Sequence, residues 1–419
     1  MFYCSRQNPD RAICPVLSRI YDVLKGSFVL IYDFDRIIDR RGTQSSKWDN
    51  AGARTGNPQA LPMWVADTDF EVPLPVREAV MQRAIHPVYG YAFVEPRFQT
   101  VTAQWLKRQH GWSICPEWSV FASGVNPAVC ALIQAFTEPG DNVIVQTPLY
   151  HSFLAAVTNN GRHPSENRLI YKEGRYTMDF DDLDARAKSA KLMILCSPHN
   201  PVGRIWTREE LQAVGEICLR HGVILISDEI HSDLVLFGSR HLPTLSLDKR
   251  FEEFTVSCYA PSKTFNLAGL KASAIVVPNP GIRKKLESQF QKNRSSQQNI
   301  FALPALIAAY TQCDDYLLQL KTYLEGNVRL IDRFLKENMP MIKLVWPQAT
   351  YLAWLDCSDT GLEGDALGDF FINKCGVAIN RGDTFGSGGE RFARLNFGCP
   401  KRTLEAGLLR IYNGYRRWL

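Results

Sequence analysis

Lys263 is the residue with the most chemistry to offer. It lies in Ser257-Cys258-Tyr259-Ala260-Pro261-Ser262-Lys263-Thr264, just past a short apolar run, Phe254 to Cys258. An amine in that place can condense with an aldehyde. A loop lysine is more often a solvated surface residue, and alone that reading would prevail. Three other segments weaken it. Asn200-Pro201 comes after the run Leu192 to Cys196, Asp228 directly follows Val223 to Ser227, and Tyr150 follows Asn142 to Gln146 by way of Thr147-Pro148-Leu149. Taken singly, Asn-Pro is a common turn, an aspartate can cap a helix and a tyrosine can simply pack. Together they place an amide, a carboxylate, an amine and an aromatic ring at the carboxyl ends of strands, where open α/β sheets bind ligands.

Two further features add anion-binding chemistry. In Gly124-Val125-Asn126-Pro127, a glycine allows close backbone approach and a helix start offers free N–H groups, a combination suited to phosphate. The hydroxyl of Ser262, beside the lysine, can join it. Arg394 lies in Arg391-Phe392-Ala393-Arg394-Leu395-Asn396-Phe397. Strand alternation puts Phe392, Arg394 and Asn396 on one face. The plain explanation is a solvated edge strand; the chemical one is a bidentate clamp for a carboxylate.

The elements that must position these residues follow from the pattern. Asn142 to Gln146, Leu192 to Cys196, Val223 to Ser227, Phe254 to Cys258 and Ala274 to Val277 are continuous apolar runs. Such runs suit a mostly parallel sheet covered by helices on both faces. Pro127 can open a helix that runs to Phe136, with Asn126 as its cap. Thr207 to Glu210 fits a capping box, and Gly222 a helix terminator. Later, Leu317, Leu320, Leu324, Val328, Ile331 and Leu335 recur at spacings of three and four, one apolar stripe on a long helix. A strand over Tyr351 to Leu355, a helix near Ala366 to Lys374 and an alternating Phe392 to Phe397 complete a smaller α/β unit. The expected fold class is α/β, doubly wound.

Composition narrows the function classes. The 419 residues are 45% hydrophobic and 22% charged, as in ordinary globular proteins, and the net charge is +5 without a dense Lys/Arg run. Nucleic acid is therefore not an expected partner. No apolar run approaches the roughly 18 residues of a membrane helix. The eleven cysteines are an odd number, scattered, with no C-x-x-C spacing. Reduced thiols in a cytoplasm fit better than a disulfide scaffold or a zinc site. Residues 1–31 carry Arg6, Arg11, Arg19 and Lys25 on a broken apolar pattern and read as an extension.

At this point the chain resembles a known family. Asn200-Pro201, Asp228, Ser262-Lys263 and Arg394 resemble the fold-type I pyridoxal-phosphate enzymes of the aminotransferase superfamily, from about Tyr32 to the C-terminus. Finer features are similar to the MalY/PatB group of cystathionine β-lyase-like C–S lyases. They include Tyr32-Asp33-Phe34-Asp35, Lys47-Trp48-Asp49, Met63-Trp64-Val65-Ala66-Asp67-Thr68-Asp69-Phe70, Tyr89-Gly90-Tyr91 and Ser227-Asp228-Glu229-Ile230-His231. Four positions depart from the pattern. Thr68 stands where the group often has Met, Asn126 where Val is frequent, Lys271 where aminotransferases usually carry a phosphate-binding Arg, and His231 where a cofactor-contacting Tyr is common. His231 is expected to be a packed histidine with no catalytic role.

The resemblance implies a division of labour. Lys263 would bond to pyridoxal 5'-phosphate and serve as general base, and Asp228 would pair with the ring nitrogen. Asn200 would bond the phenolic oxygen and Tyr150 would stack on the ring. Gly124, Val125 and Ser262 would hold the phosphate, joined by Tyr91 from a neighbouring subunit. Arg394, helped by the backbone at Ala66, would take the substrate carboxylate. The resemblance also implies a homodimer and an organisation of four parts. These are the extension (1–31), a segment packing on the small domain (32–80), a large cofactor-binding domain (81–312) and a small C-terminal domain (313–419). The reaction implied is β-elimination from cystathionine, cystine or another S-substituted cysteine, giving a thiol, pyruvate and ammonia. Two alternatives stand beside it: an aminotransferase, which shares the steps up to the carbanion, and a lyase-like protein with an added regulatory binding role.

Overall fold

The computed structural model describes residues 30–418, so the expectation for residues 1–31 falls almost wholly outside them. The large sheet has seven strands: β1 (Ser119–Ala122), β2 (Asn142–Val145), β3 (His163–Glu166), β4 (Ala190–Cys196), β5 (Ile224–Asp228), β6 (Thr255–Tyr259) and β7 (Ser273–Val276). Their order is β1-β7-β6-β5-β4-β2-β3. β7 alone runs antiparallel to its neighbours. Side-chain alternation divides the buried strands between two cores: Ile194 and Ile226 pack on one face, and Met193, Leu195 and Leu225 on the other.

Register matters more than strand count. Asp228 pairs with Cys196 on one side and Cys258 on the other, so three parallel strands end level. The loops leaving those ends carry Asn200 and Lys263. Asp228 is the last residue of β5 and not, as its polarity suggested, the first residue beyond it. A carboxylate ends the apolar run, but the main chain keeps its ladder for one more position.

Helix starts also needed correction. The helix after β1, α1 (Val125–Phe136), begins two residues before Pro127, and Gly124 is its N-cap in place of Asn126. The helix before β5, α2 (Arg208–His221), has the full capping box between Thr207 and Glu210 and ends on Gly222 in the left-handed region. Lys263 sits on the short α3 (Pro261–Thr264). The predicted apolar stripe lies on α4 (Asp314–Asn338), where all six stripe residues are buried. The helix expected over Ala366 to Lys374 is split. It is α-helical over Gly364–Asp369 and widens to a π turn over Phe370–Lys374.

The second sheet contains β8 (Lys343–Val345), β9 (Leu352–Asp356), β10 (Asn380–Arg381) and β11 (Phe392–Asn396) in the order β8-β9-β11-β10, all antiparallel. Arg394 is thus on an inner strand, level with Trp354 and Asn380, and only 2% exposed. The edge-strand explanation for it fails. Residues 61–70 run across this sheet. Leu61–Pro62 pairs with Val377–Ala378, and Asn396 N–H donates to Met63 O at 2.9 Å.

The turn after β4 shows how tightly the strand ends are tied. His199 N–H donates to Arg204 O and Gly203 N–H to His199 O, both at 2.8 Å, and His199 Nε2 donates to Pro148 O at 2.8 Å. Burial pushes His199 down to about 4, so its ring is a neutral strut. Gly203 has φ +70°, and a Cβ there would sit 2.9 Å from Pro347 Cβ. Gly203→Ala should therefore cost at least about 2 kcal/mol, from the left-handed backbone plus overpacking. A thermal midpoint within a degree or so of wild type would show that the turn yields freely.

Candidate active site

The strand ends and the 61–70 segment enclose a cavity of about 660 Å³ whose wall includes Trp64, Ala66, Asp67, Tyr150, Lys263 and Arg394. Lys263 Nζ donates to Ala66 O at 2.7 Å, and Tyr351 hydroxyl donates to the same oxygen at 3.0 Å. Burial, reinforced by the positive charge of Arg394 and opposed by Asp67 and Asp228, lowers Lys263 to about 8. An amine with that value is about one-tenth neutral at pH 7, far more than an ordinary lysine, and the neutral form is what a nucleophile or base requires.

Arg394 is held on three sides. Nη1 donates to Asn200 Oδ1 at 3.0 Å, and Nη2 donates to Trp64 O at 3.0 Å and Asn380 Oδ1 at 3.2 Å. The guanidinium lies 4.8 Å from the Phe385 ring centroid. Its Nε is buried with no partner, and burial pulls the group down to about 10 without discharging it. The bond to Arg394 uses Asn200 Oδ1 and leaves Nδ2 with no partner among the described residues.

Asp228 is the sharpest electrostatic feature. Its carboxylate accepts one hydrogen bond among the described residues, from Ile230 N–H at 3.2 Å. Burial raises it to about 7, only partly offset by that bond and by Lys263. Its neighbour Glu229 points the other way. Burial alone would raise Glu229 too, but His241, Tyr259 and Ser227 hold it below the usual carboxylate range. His241 Nε2 is 2.7 Å from Glu229 Oε2, and Ser257 and Thr244 N–H also donate to this carboxylate. One acid is satisfied inside the protein; the other lacks a cationic partner.

These features fit pyridoxal phosphate. Asp228 presents a buried acid without a cationic partner among the described residues, suited to a protonated ring nitrogen, and Asn200 Nδ2 has no partner there and can donate to an oxygen. Gly124 has φ +135°, and a Cβ there would touch nothing but Pro127. The start of α1 follows directly, so its first N–H groups are open to an anion.

The predicted residues separate into two groups. Lys263, Tyr150, Arg394 and Ala66 line the cavity, and Asn200 reaches it through Arg394. Asp228 lies near enough to Lys263 for each charge to act on the other. Gly124, Val125 and Ser262 are not on the cavity wall, and Tyr91 is fully exposed. His231 is buried, its ring edge-on to Tyr351 at 6.1 Å, and burial keeps it neutral.

Sequence reading missed Tyr351, Asn380 and His151. Tyr351 opened a predicted strand, and His151 adjoined Tyr150, but neither position was distinctive. It also missed an acceptor rail. Arg394 donates to the carbonyl of Trp64. Asn396 Nδ2 donates to those of Val65 and Asp67, Lys263 to Ala66, and Asn266 Nδ2 to Thr68. A partly buried ion cluster flanks the rail: Arg40 lies 2.7 Å from both Asp67 and Asp69, and the buried Lys47 lies 2.7 Å from Asp69.

Comparisons with known proteins identify the family. A family model described as Aminotransferase class I and II matches residues 66–411. The chain is 45% identical over 381 residues to cystathionine beta-lyase PatB of Bacillus subtilis (strain 168), covering 90% of this chain and 98% of that one. It is 34% identical to protein MalY of Escherichia coli (strain K12), covering 92% and 99%. Among solved structures, cystalysin from Treponema denticola, which contains a pyridoxal 5'-phosphate cofactor, superposes with a TM-score of 0.89 at 33% identity, covering 93% and 100%.

The unpaired acid has a measurable consequence. Its folded value of about 7 lies above the usual 3.8. Between those values the folded protein keeps a proton that the unfolded chain has lost, so stability falls as pH rises through that window. Asparagine does not titrate. In cofactor-free protein, the thermal midpoint of Asp228→Asn relative to wild type should be higher at about pH 8 than at about pH 5. An equal difference at both would show that Asp228 is already ionised at low pH.

Proposed function

The chain belongs to the class I and II aminotransferase family, and from that premise we propose that it is a pyridoxal-phosphate-dependent C–S β-lyase. Its substrates are cystathionine, cystine or related S-substituted cysteines, converted with water to a thiol, pyruvate and ammonia. The observation that carries this reading is the single lysine on the cavity wall, Lys263, set against the buried Arg394 and near the unpaired Asp228. Kinship with proteins named cystathionine beta-lyase favours elimination over transamination.

The cofactor, when bound, supplies an electron sink for negative charge developing at the substrate Cα. Asp228 would pair with the ring nitrogen, and its dry surroundings would favour an ion pair there. Asn200 Nδ2 would donate to the phenolic oxygen, while Oδ1 keeps Arg394 in place. Gly124, Val125 and Ser262 would hold the phosphate, and Tyr150, on the cavity wall, would cover the ring. Arg394 Nε and the Ala66 N–H take the α-carboxylate and orient the Cα–H bond toward Lys263. Lys263 Nζ, held by Ala66 O, removes the Cα proton as general base. The sulfur then leaves Cβ with its bonding electrons. The cation of Arg394, fixed by three acceptors, needs no rearrangement during these steps.

Two finer points belong to the same proposal. The protein is a homodimer in which Tyr91 reaches the neighbouring subunit's phosphate site. In support, Val88, Tyr89, Tyr91 and Phe93 form an exposed apolar run, of the kind that marks an interaction surface. The protein works in the cytoplasm; in support, the nine described cysteines are all free thiols. Among the described residues no helix is long and apolar enough to cross a membrane.

The decisive experiment supplies cystathionine without a keto acid. Thiol and pyruvate should appear together, and Lys263→Ala should slow them by at least about 10³-fold through loss of the base. Turnover that waits for an added keto acid would instead identify an aminotransferase.

A further inference from the structure

The cavity carries more charge than chemistry at Cα requires. Its acids are already matched: Asp67 and Asp69 by Arg40 and Lys47, and Glu71 by Arg36 at 3.2 Å and by Arg77. Arg394 is committed to Asn200, Asn380 and Trp64 O. Among the charged residues on the wall, only Arg54 makes no side-chain hydrogen bond or ion pair within the described residues.

Arg54 is nevertheless placed. It lies in the last turn of the short helix Ala51–Thr55, and its guanidinium carbon sits 5.8 Å from the Trp64 ring centroid. Trp64 Nε1 donates to Lys47 O at 3.0 Å, which fixes the ring. Trp64 thus carries one cation on its ring and holds another, Arg394, through its carbonyl. His151, also on the wall, feels both charges and has a buried Nδ1 with no partner. Burial first, then the two arginines, lowers it to about 4, so it adds no competing positive charge.

We propose that Arg54 is the receptor for a second carboxylate, carried on the sulfur substituent of the substrate. The proposal rests on the lyase reading and narrows its substrate class. Amino acids with a further acidic group beyond the sulfur, such as cystathionine and cystine, are preferred over S-alkylcysteines. A planar guanidinium resting on an aromatic face keeps its donor edge free for a carboxylate. Because Arg54 is exposed, the attraction is screened by salt.

The test compares L-cystathionine with S-methyl-L-cysteine on the holoenzyme, with pyruvate as the readout. Arg54→Gln should shrink the preference for cystathionine, as a ratio of kcat/KM values, by about 10- to 100-fold, the scale of a charge-assisted hydrogen bond. The change should fall on the KM for cystathionine and not on kcat. Arg54→Lys should recover part of it, and added salt should erode the wild-type preference but not that of Arg54→Gln. Pyruvate from both substrates with an unaltered ratio in Arg54→Gln overturns the proposal alone. Wild-type enzyme that releases no pyruvate from either substrate overturns the lyase reading and this proposal with it.

Discussion

A carboxylate buried without a cationic partner is the constraint around which this protein is arranged. Asp228 ends a central strand, level with the ends of two neighbours, and burial raises its proton affinity by far more than its one hydrogen bond lowers it. Adjacent Glu229 shows that the fold can satisfy an acid at this depth when it supplies partners. Strand alternation sends the two side chains to opposite faces. One meets histidine, hydroxyls and a backbone N–H; the other lies near enough to Lys263 for each charge to act on the other. The contrast separates an acid that the fold supplies with partners from one that it leaves with a single backbone bond among the described residues.

The two cations differ in their own basicity. Burial lowers both to a similar extent, Arg394 to about 10 and Lys263 to about 8, and the guanidinium keeps its charge because it starts from the higher value. Side-chain type, at equal depth, decides which cation can give up a proton. A permanent charge and a titratable amine can then share one small space, and the charge of Arg394 favours the neutral form of Lys263 by repulsion.

The large sheet was legible because strands buried on both faces are written as continuous apolar runs, and helices with proper caps announce their ends. The same signals explain the errors. The polar Asp228 stopped the apolar run but not the backbone ladder. Pro127 suggested a first-turn position, yet Gly124 reached the left-handed side of backbone space and started α1 earlier. Lys263, Asn200, Asp228 and Arg394 were legible as chemistry because their residue types are unusual beside apolar strands. The far wall was not. It comes from residues 38–71, a stretch with little periodicity, and its main contribution is a row of carbonyl oxygens. Side-chain patterns do not encode main-chain acceptors, so Tyr351 and Asn266, which bind them, carried no signal either.

That row of peptide oxygens separates two kinds of change in evolution. The lysine and the arginine are tethered to the chain's own amides between Trp64 and Thr68, whatever side groups those positions display. Replacing the side chain of Thr68, or that of Arg54 nearby, leaves the carbonyls that hold Lys263 and Arg394 in place. Diversification of diet is thereby uncoupled from maintenance of the reaction centre.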